Sequence, residues 1–69
     1  MKQNERFQDR VEAYTRRAAE LYPGEVVFNK TQLAKISGRG RSTLYNNSQR
    51  YYFRTDKVTI KEFVRMELA

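Results

Sequence analysis

The chain contains neither cysteine nor histidine, and this absence limits the ways in which 69 residues can fold. Disulfides, thiolate or imidazole metal sites and His-based catalytic triads are all excluded. A chain of this length also has a small hydrophobic core, so each apolar position contributes a large share of its stability. We therefore expect one folded domain over residues 1–69, held by apolar packing and without metal ions or other cofactors.

The composition indicates a soluble, cytoplasmic domain. Hydrophobic residues make up 39% of the chain and aromatic residues 13%, which is too apolar for a disordered tail. No apolar run approaches the roughly 20 residues that span a bilayer, and no secretory signal precedes the first charged residues. Neither a membrane nor a small-molecule ligand is expected as a partner. No pair of carboxylates suggests a catalytic site, so we do not expect an enzyme.

The positive charge is concentrated in the middle of the chain. The net charge is +6, but residues 25–57 hold seven basic and only two acidic side chains. No acidic residue occurs between Val26 and Thr55. The cations in that interval are Lys30, Lys35, Arg39, Arg41, Arg50 and Arg54. A basic surface without compensating acids, interleaved with Tyr, Asn, Ser and Thr, is typical of proteins that bind a polyanion.

A leading amphipathic helix is predicted within residues 1–24. Apolar side chains recur there at spacings of four, three, four and three residues, which places them on one helical face. These residues are Phe7, Val11, Tyr14, Ala18 and Leu21. Pro23-Gly24 is expected to end the helix, because proline disfavours the helical conformation in the residue before it.

Two short helices joined by a turn are predicted over residues 29–48. Asn29 with Gln32 has the pattern of a capping box, in which each residue satisfies a free amide of the other. Gly38 is expected to end the first helix in the left-handed conformation. The second helix runs from Arg41 and is anchored by Leu44. A small residue, a turn glycine and a later apolar anchor are the parts of a helix-turn-helix unit.

Strand composition flanks this unit on both sides. Residues 25–28 suit a short strand, and residues 49–58, which contain three consecutive aromatic residues, are predicted to form a hairpin. Thr59 and Glu62 form a second capping-box pattern and start a C-terminal helix over residues 59–69. The predicted fold class is therefore α+β, mostly helical.

The run QLAKISGRGRSTLYN (residues 32–46) resembles the helix-turn-helix of small bacterial and phage DNA-binding proteins, in which a run such as RSTLY opens the recognition helix. With the predicted hairpin and last helix, residues 26–68 are similar to winged helix-turn-helix proteins of the excisionase and MerR-like type. The resemblance implies a small winged helix-turn-helix fold, with the hairpin as the wing. It also implies binding of duplex DNA by a protein of a phage or mobile element.

The turn SGRGRSTLYNNS (residues 37–48) is interpreted as the part that reaches the DNA. Free amides at the start of the second helix, with neighbouring hydroxyl and guanidinium groups, can bind phosphate oxygens. Arg41 fits either a guanine edge or a phosphate, and Asn46 fits either adenine or a cap of the helix end. Tyr51 and Phe53 are expected in the core, whereas Tyr52 is expected to point outward. The full set of predicted DNA-binding residues is Lys35, Arg39, Gly40, Arg41, Ser42, Thr43, Tyr45, Asn46, Arg50, Tyr52 and Arg54.

The expected function is an excisionase, or recombination directionality factor, that binds and bends double-stranded DNA. Its protein partners would be an integrase or a second copy of the chain. The alternatives are a small phage transcriptional regulator and a protein-interaction module such as an anti-repressor. RNA binding ranks below these, because no motif of the common RNA-binding modules is present.

Overall fold

Helices form most of the structure. The computed structural model of the chain describes residues 2–47 and 49–69, and the side chains of residues 6–47 and 49–69. Four helices lie where the sequence predicts them: α1 (Lys2–Leu21), α2 (Lys30–Ser37), α3 (Arg41–Asn46) and α4 (Ile60–Leu68). The predicted segment boundary at Ser48 falls outside the described residues.

Local signals fix the ends of α2 and α4. Asn29 is extended and accepts a hydrogen bond of 2.8 Å from the Gln32 amide, while the Gln32 side chain accepts one of 2.9 Å from the Asn29 amide. Thr59 and Glu62 form the same reciprocal cap at the start of α4. Gly38 ends α2 with a φ of 77°, which is the left-handed conformation expected there.

The core lies where α1 packs on α4 and α2. The ring of Tyr14 on α1 lies 6.0 Å from that of Phe63 on α4, and Ala18 is buried one turn further along α1. Leu21, predicted on the same face, is 43% exposed at the last residue of the helix. The buried hydrophobic residues are Ala18, Phe28, Leu33, Ala34, Ile36, Leu44, Tyr51, Val58, Ile60, Phe63 and Val64.

The predicted α+β winged helix-turn-helix class is wrong, because the structure contains no sheet among the described residues. In place of a hairpin, residues 49–57 consist of turns, bends and irregular backbone. The predicted strand at 25–28 makes one antiparallel bridge, in which Phe28 and Val58 exchange backbone hydrogen bonds of 2.8 and 2.9 Å. The architecture is therefore helical, and no wing projects from it in the described residues.

The burial of Tyr51 accounts for part of the strand-like composition of residues 49–58. Tyr51 is 4% exposed and its ring stacks on Phe63, with centroids 5.5 Å apart. The amides of Arg50 and Tyr51 both donate to the carbonyl of Asn47, which makes a turn directly after α3. High β-propensity measures how well a side chain suits a half-buried surface, and here a loop supplies that surface.

No helix in the described part of the chain is both long enough and apolar enough to cross a membrane.

Candidate nucleic-acid interface

The outward face of α3 carries most of the predicted base-reading residues. Leu44 is fully buried and fixes α3 against α2. Arg41 lies in the first turn of α3 and Asn46 at its last position, and both are exposed. Also exposed are Ser42, Thr43 and Tyr45, with Tyr45 at 52%. Five polar or aromatic side chains of one short helix thus point away from the core.

The turn before α3 is built from backbone rather than from side-chain caps. Gly40 occupies the N-cap position with a φ of −70°, and no side chain caps the first amides of α3. At the other end of α3, Asn47 occupies the cap position and donates a hydrogen bond of 2.7 Å to the Thr43 carbonyl. Asn47 rather than Asn46 therefore caps the end of α3, and the side chain of Asn46 is exposed.

All five predicted cationic contacts are exposed, Arg39 included. Lys35 lies in the last turn of α2 and Arg41 in the first turn of α3. Arg50 and Arg54 lie in the loop between α3 and α4. Tyr52, in the same loop, is 68% exposed and Tyr51 is buried, as the sequence predicts, whereas Phe53, expected in the core, is only half-buried.

Arg39, a further predicted DNA contact, has a side chain that is 41% exposed but is bonded to a carboxylate of the protein itself. Its Nε donates a hydrogen bond of 2.7 Å to Oε2 of Glu67, whose side chain is only 1% exposed. This contact raises the pKa of Arg39 above its ordinary value. Arg39 therefore connects the turn between α2 and α3 to the last helix.

Glu67, on α4, is the centre of a cluster of hydrogen bonds. The cluster joins α4 to α1, to the turn between α2 and α3 and to the loop between α3 and α4. Oε1 of Glu67 accepts hydrogen bonds from Arg10 Nη1 at 3.2 Å and from the Tyr14 hydroxyl at 2.8 Å, both on α1. Its backbone carbonyl accepts a bond of 3.1 Å from Nη1 of Arg50. Glu67 is thus the one buried charged residue in the described part of the chain, and its carboxylate is bonded inside the protein. The Tyr14 hydroxyl is likewise bonded within the protein.

The cluster changes the electrostatics of Tyr14. Burial, followed by the hydrogen bond and the negative charge of Glu67, raises the pKa of the Tyr14 hydroxyl to about 12. The neutral hydroxyl is thus held as a donor to the carboxylate. Two arginines and one tyrosine satisfy both oxygens of this buried group.

Lys30 belongs to the same surface, although it is not among the residues that the sequence predicts to bind DNA. Its Nζ lies 5.0 Å from the centre of the Tyr45 ring and 5.4 Å from that of Phe53. A cation over two aromatic faces is attracted by their negative π-clouds. The contact links the first residue of α2 to the outward face of α3, beside an open groove of about 530 Å³. In the sequence, only one feature indicates that Lys30 belongs to this surface: it lies in the interval between Val26 and Thr55, which contains no acidic residue.

The described residues contain no group of acidic side chains that is able to hold a metal ion. Among them, the salt bridges are those of Arg10 and Arg39 with Glu67 and of Arg16 with Glu12. The outward face of α3 and the cations around it are thus the most distinctive chemical feature of this surface. Comparisons with protein-family models, with curated proteins and with solved structures find no match to this chain.

Proposed function

We propose that the chain binds duplex DNA through α2, the turn and α3, with the outward face of α3 in the major groove. The observation that carries this proposal is that α3 buries Leu44 alone and exposes its other five side chains within a segment free of acidic residues. An α-helix fits the major groove, where base edges present distinct patterns of donors and acceptors.

The positions and contacts of these side chains support three different roles in DNA binding. Arg41 and Asn46 are suited to base edges, because each can make paired hydrogen bonds to guanine or adenine. Lys30, Lys35 and Arg54 are suited to phosphates, since each is a basic side chain close to α3 or its flanking loops. Arg39 holds the turn through its bond to Glu67, with part of its side chain exposed.

Salt titration of DNA binding tests this proposal. A duplex selected from a random pool and a scrambled duplex would be titrated at several salt concentrations. Each phosphate contact contributes about 0.9 to the slope of log affinity against log salt, so the three contacts of Lys30, Lys35 and Arg54 give a slope of about 2.7. Single-stranded DNA and RNA of the same sequence are expected to bind more weakly. An affinity that does not change with salt concentration would refute duplex binding. Tighter binding of single-stranded DNA or of RNA than of the duplex would refute it too.

Within duplex binding, we favour the architectural role of an excisionase over that of a small transcriptional regulator of a phage or mobile element. The support is the small size of the chain, since the resemblance of residues 32–46 to the helix-turn-helix of small bacterial and phage DNA-binding proteins is common to both roles. The two roles differ in whether the DNA is bent. Duplexes of equal length with the selected site at the centre or near one end would migrate differently as complexes if the protein bends DNA. Equal migration would favour the regulator.

A further inference from the structure

Exposed apolar side chains also occur on a second part of the surface. Five large hydrophobic residues are exposed in the described structure, and two of them, Tyr45 and Tyr52, belong to the proposed DNA interface. The other three lie within residues 21–27: Leu21 at 43%, Val26 at 76% and Val27 at 38% exposure. Val26 is the most exposed of the five, and the DNA-binding proposal gives it no role.

Val26 lies at a groove of about 350 Å³ between α1 and the start of α4. The buried residues Ala18, Phe28 and Ile60 line this groove. Exposed residues of opposite charge, Glu25 and Lys61, line it too, and no ion pair joins them. None of the predicted DNA-binding residues contributes to it.

The backbone beside this groove is irregular. Residues 25–27 have no regular secondary structure, and the amides and carbonyls of Val26 and Val27 make no backbone hydrogen bond within the described chain. Backbone polar groups without a partner are able to pair with a segment of another chain. The patch formed by residues 25–27 and the adjoining groove therefore combines four features. These are the exposed side chain of Val26, the apolar groove, the opposite charges of Glu25 and Lys61, and backbone groups without a backbone partner.

We propose that residues 25–27 and the adjoining groove form a two-fold interface with a second copy of this chain. A two-fold axis brings the same patch of both copies together, so each feature must meet its complement on the other copy. Here Val26 of each copy enters the groove of the other, and Glu25 meets Lys61 across the axis. The opposite charges on one patch favour this occupant over a partner of uniform charge.

The size of the molecule gives a second reason for a dimer. Its longest dimension is 30 Å, which is close to one turn of B-DNA at about 34 Å. One copy therefore covers about one turn, and helix-turn-helix proteins reach a second half-site by binding as dimers. This reason rests on the proposed function, whereas the complementarity of the patch does not.

Sedimentation equilibrium without DNA tests the interface, so its result is independent of DNA binding. We expect a concentration-dependent monomer–dimer equilibrium for the wild type. Val26→Asn should weaken dimerisation about tenfold, because it places an amide in an apolar groove. The matched control, Tyr52→Asn, alters a similarly exposed residue outside the patch and should leave the equilibrium unchanged. Thermal melts of both variants at low concentration should match that of the wild type, since neither side chain is buried.

Charge reversal tests the two-fold arrangement itself. Glu25→Lys and Lys61→Glu should each weaken the dimer about two- to fivefold, as rim charges do, and the double variant should restore it. A wild type that stays monomeric up to about 1 mM would overturn the proposal. It would also be overturned by a dimer that Val26→Asn does not weaken, or by a double variant that is no stronger than the single ones.

Discussion

At the scale of single residues, the structure separates arginines that the sequence treats alike. Arg39 and Arg41 flank Gly40, and the charge pattern assigns both to DNA. Arg39 is bonded to the buried Glu67, whereas Arg41 is exposed in the first turn of α3. A side chain fixed by an internal carboxylate positions the turn, while a side chain open to solvent is available to a base or a phosphate.

We therefore expect different effects from Arg41→Ala, Arg54→Ala and Arg39→Ala. Arg41→Ala should lower the ratio of cognate to scrambled affinity about 5- to 150-fold, which corresponds to the loss of a paired base contact of about 1–3 kcal/mol. Arg54→Ala should weaken both affinities alike and reduce the salt slope by about 0.9. Arg39→Ala should leave the salt slope unchanged and reduce the stability of the free protein.

Mobility shifts at several salt concentrations and urea unfolding measure these effects. If Arg41→Ala leaves the cognate-to-scrambled ratio unchanged, Arg41 contacts only phosphate and the bases are read elsewhere. If Arg39→Ala lowers the salt slope as Arg54→Ala does, Arg39 contacts the DNA despite its bond to Glu67.

Tyr14 gives a prediction about pH. Its folded-state pKa of about 12 lies above the ordinary value of 10.0, so the folded protein favours the neutral hydroxyl. The stability that this hydroxyl contributes is complete below pH 10 and is lost as the pH rises from about 10 to about 12. The wild type should thus lose stability more steeply than Tyr14→Phe over this window. Urea unfolding of both proteins between pH 8 and pH 12 measures the difference, and parallel curves would contradict the prediction.

At the scale of the elements, helix ends were the most predictable feature. The caps at Asn29 and Thr59 and the left-handed Gly38 depend on residues within four positions of one another, so the sequence contains the whole signal. The hairpin predicted at 49–58 is wrong because one of its aromatic residues, Tyr51, is buried against a distant helix. Tyr51 packs on Phe63, and nothing in the local pattern distinguishes that contact from the pairing of two strands.

The two glycines of the turn provide a matched test. Gly38 has a φ of 77° and Gly40 a φ of −70°. A Cβ added at either position would have room, since the nearest atoms beyond the chain neighbours lie 3.9 Å away at Gly40 and farther away at Gly38. Gly38→Ala should therefore cost about 1 kcal/mol through backbone strain alone. Gly40→Ala has no such strain and should change stability by less than about 0.5 kcal/mol. Equal unfolding midpoints for the two variants would show that the turn has another conformation.

Gly38 also determines the path of the chain between α2 and α3. A variant strained at this residue should bind cognate DNA more weakly than its loss of stability explains, because the orientation of α3 changes. Mobility shifts well below the melting temperature, with Gly40→Ala as the control, separate this effect from unfolding.

At the scale of the whole molecule, the Glu67 cluster explains why the candidate site was only partly predictable. Glu67 is 57 residues from Arg10, 53 from Tyr14 and 28 from Arg39. The local sequence around Glu67 looks like an ordinary charged helix end, and no pattern indicates that the chain will close over it. Exposed positions such as Arg41 follow from the period of one helix, whereas the role of Arg39 depends on the packing of α1, α2 and α4 together.

Removing the charge of Glu67 should therefore weaken the entire fold. Breaking a buried ion pair by changing one partner typically costs about 3–5 kcal/mol, since the remaining charge loses its compensation. Arg10 and Arg39 are 31% and 41% exposed and can regain water, so we expect a smaller loss of about 2–3 kcal/mol for Glu67→Gln. That is a large fraction of the roughly 5–15 kcal/mol that stabilises a typical domain.

The exposed pair of Glu12 with Arg16 supplies the control for this prediction. Both side chains are more than 70% exposed, and such pairs contribute at most about 0.5 kcal/mol. Urea unfolding should therefore separate Glu67→Gln from Glu12→Gln by at least about 1.5 kcal/mol, although each removes one negative charge. Because net charge changes equally in the two variants, a difference between them reports the cluster rather than overall repulsion. Equal stabilities would mean that Glu67 does not hold α1, the turn and α4 together.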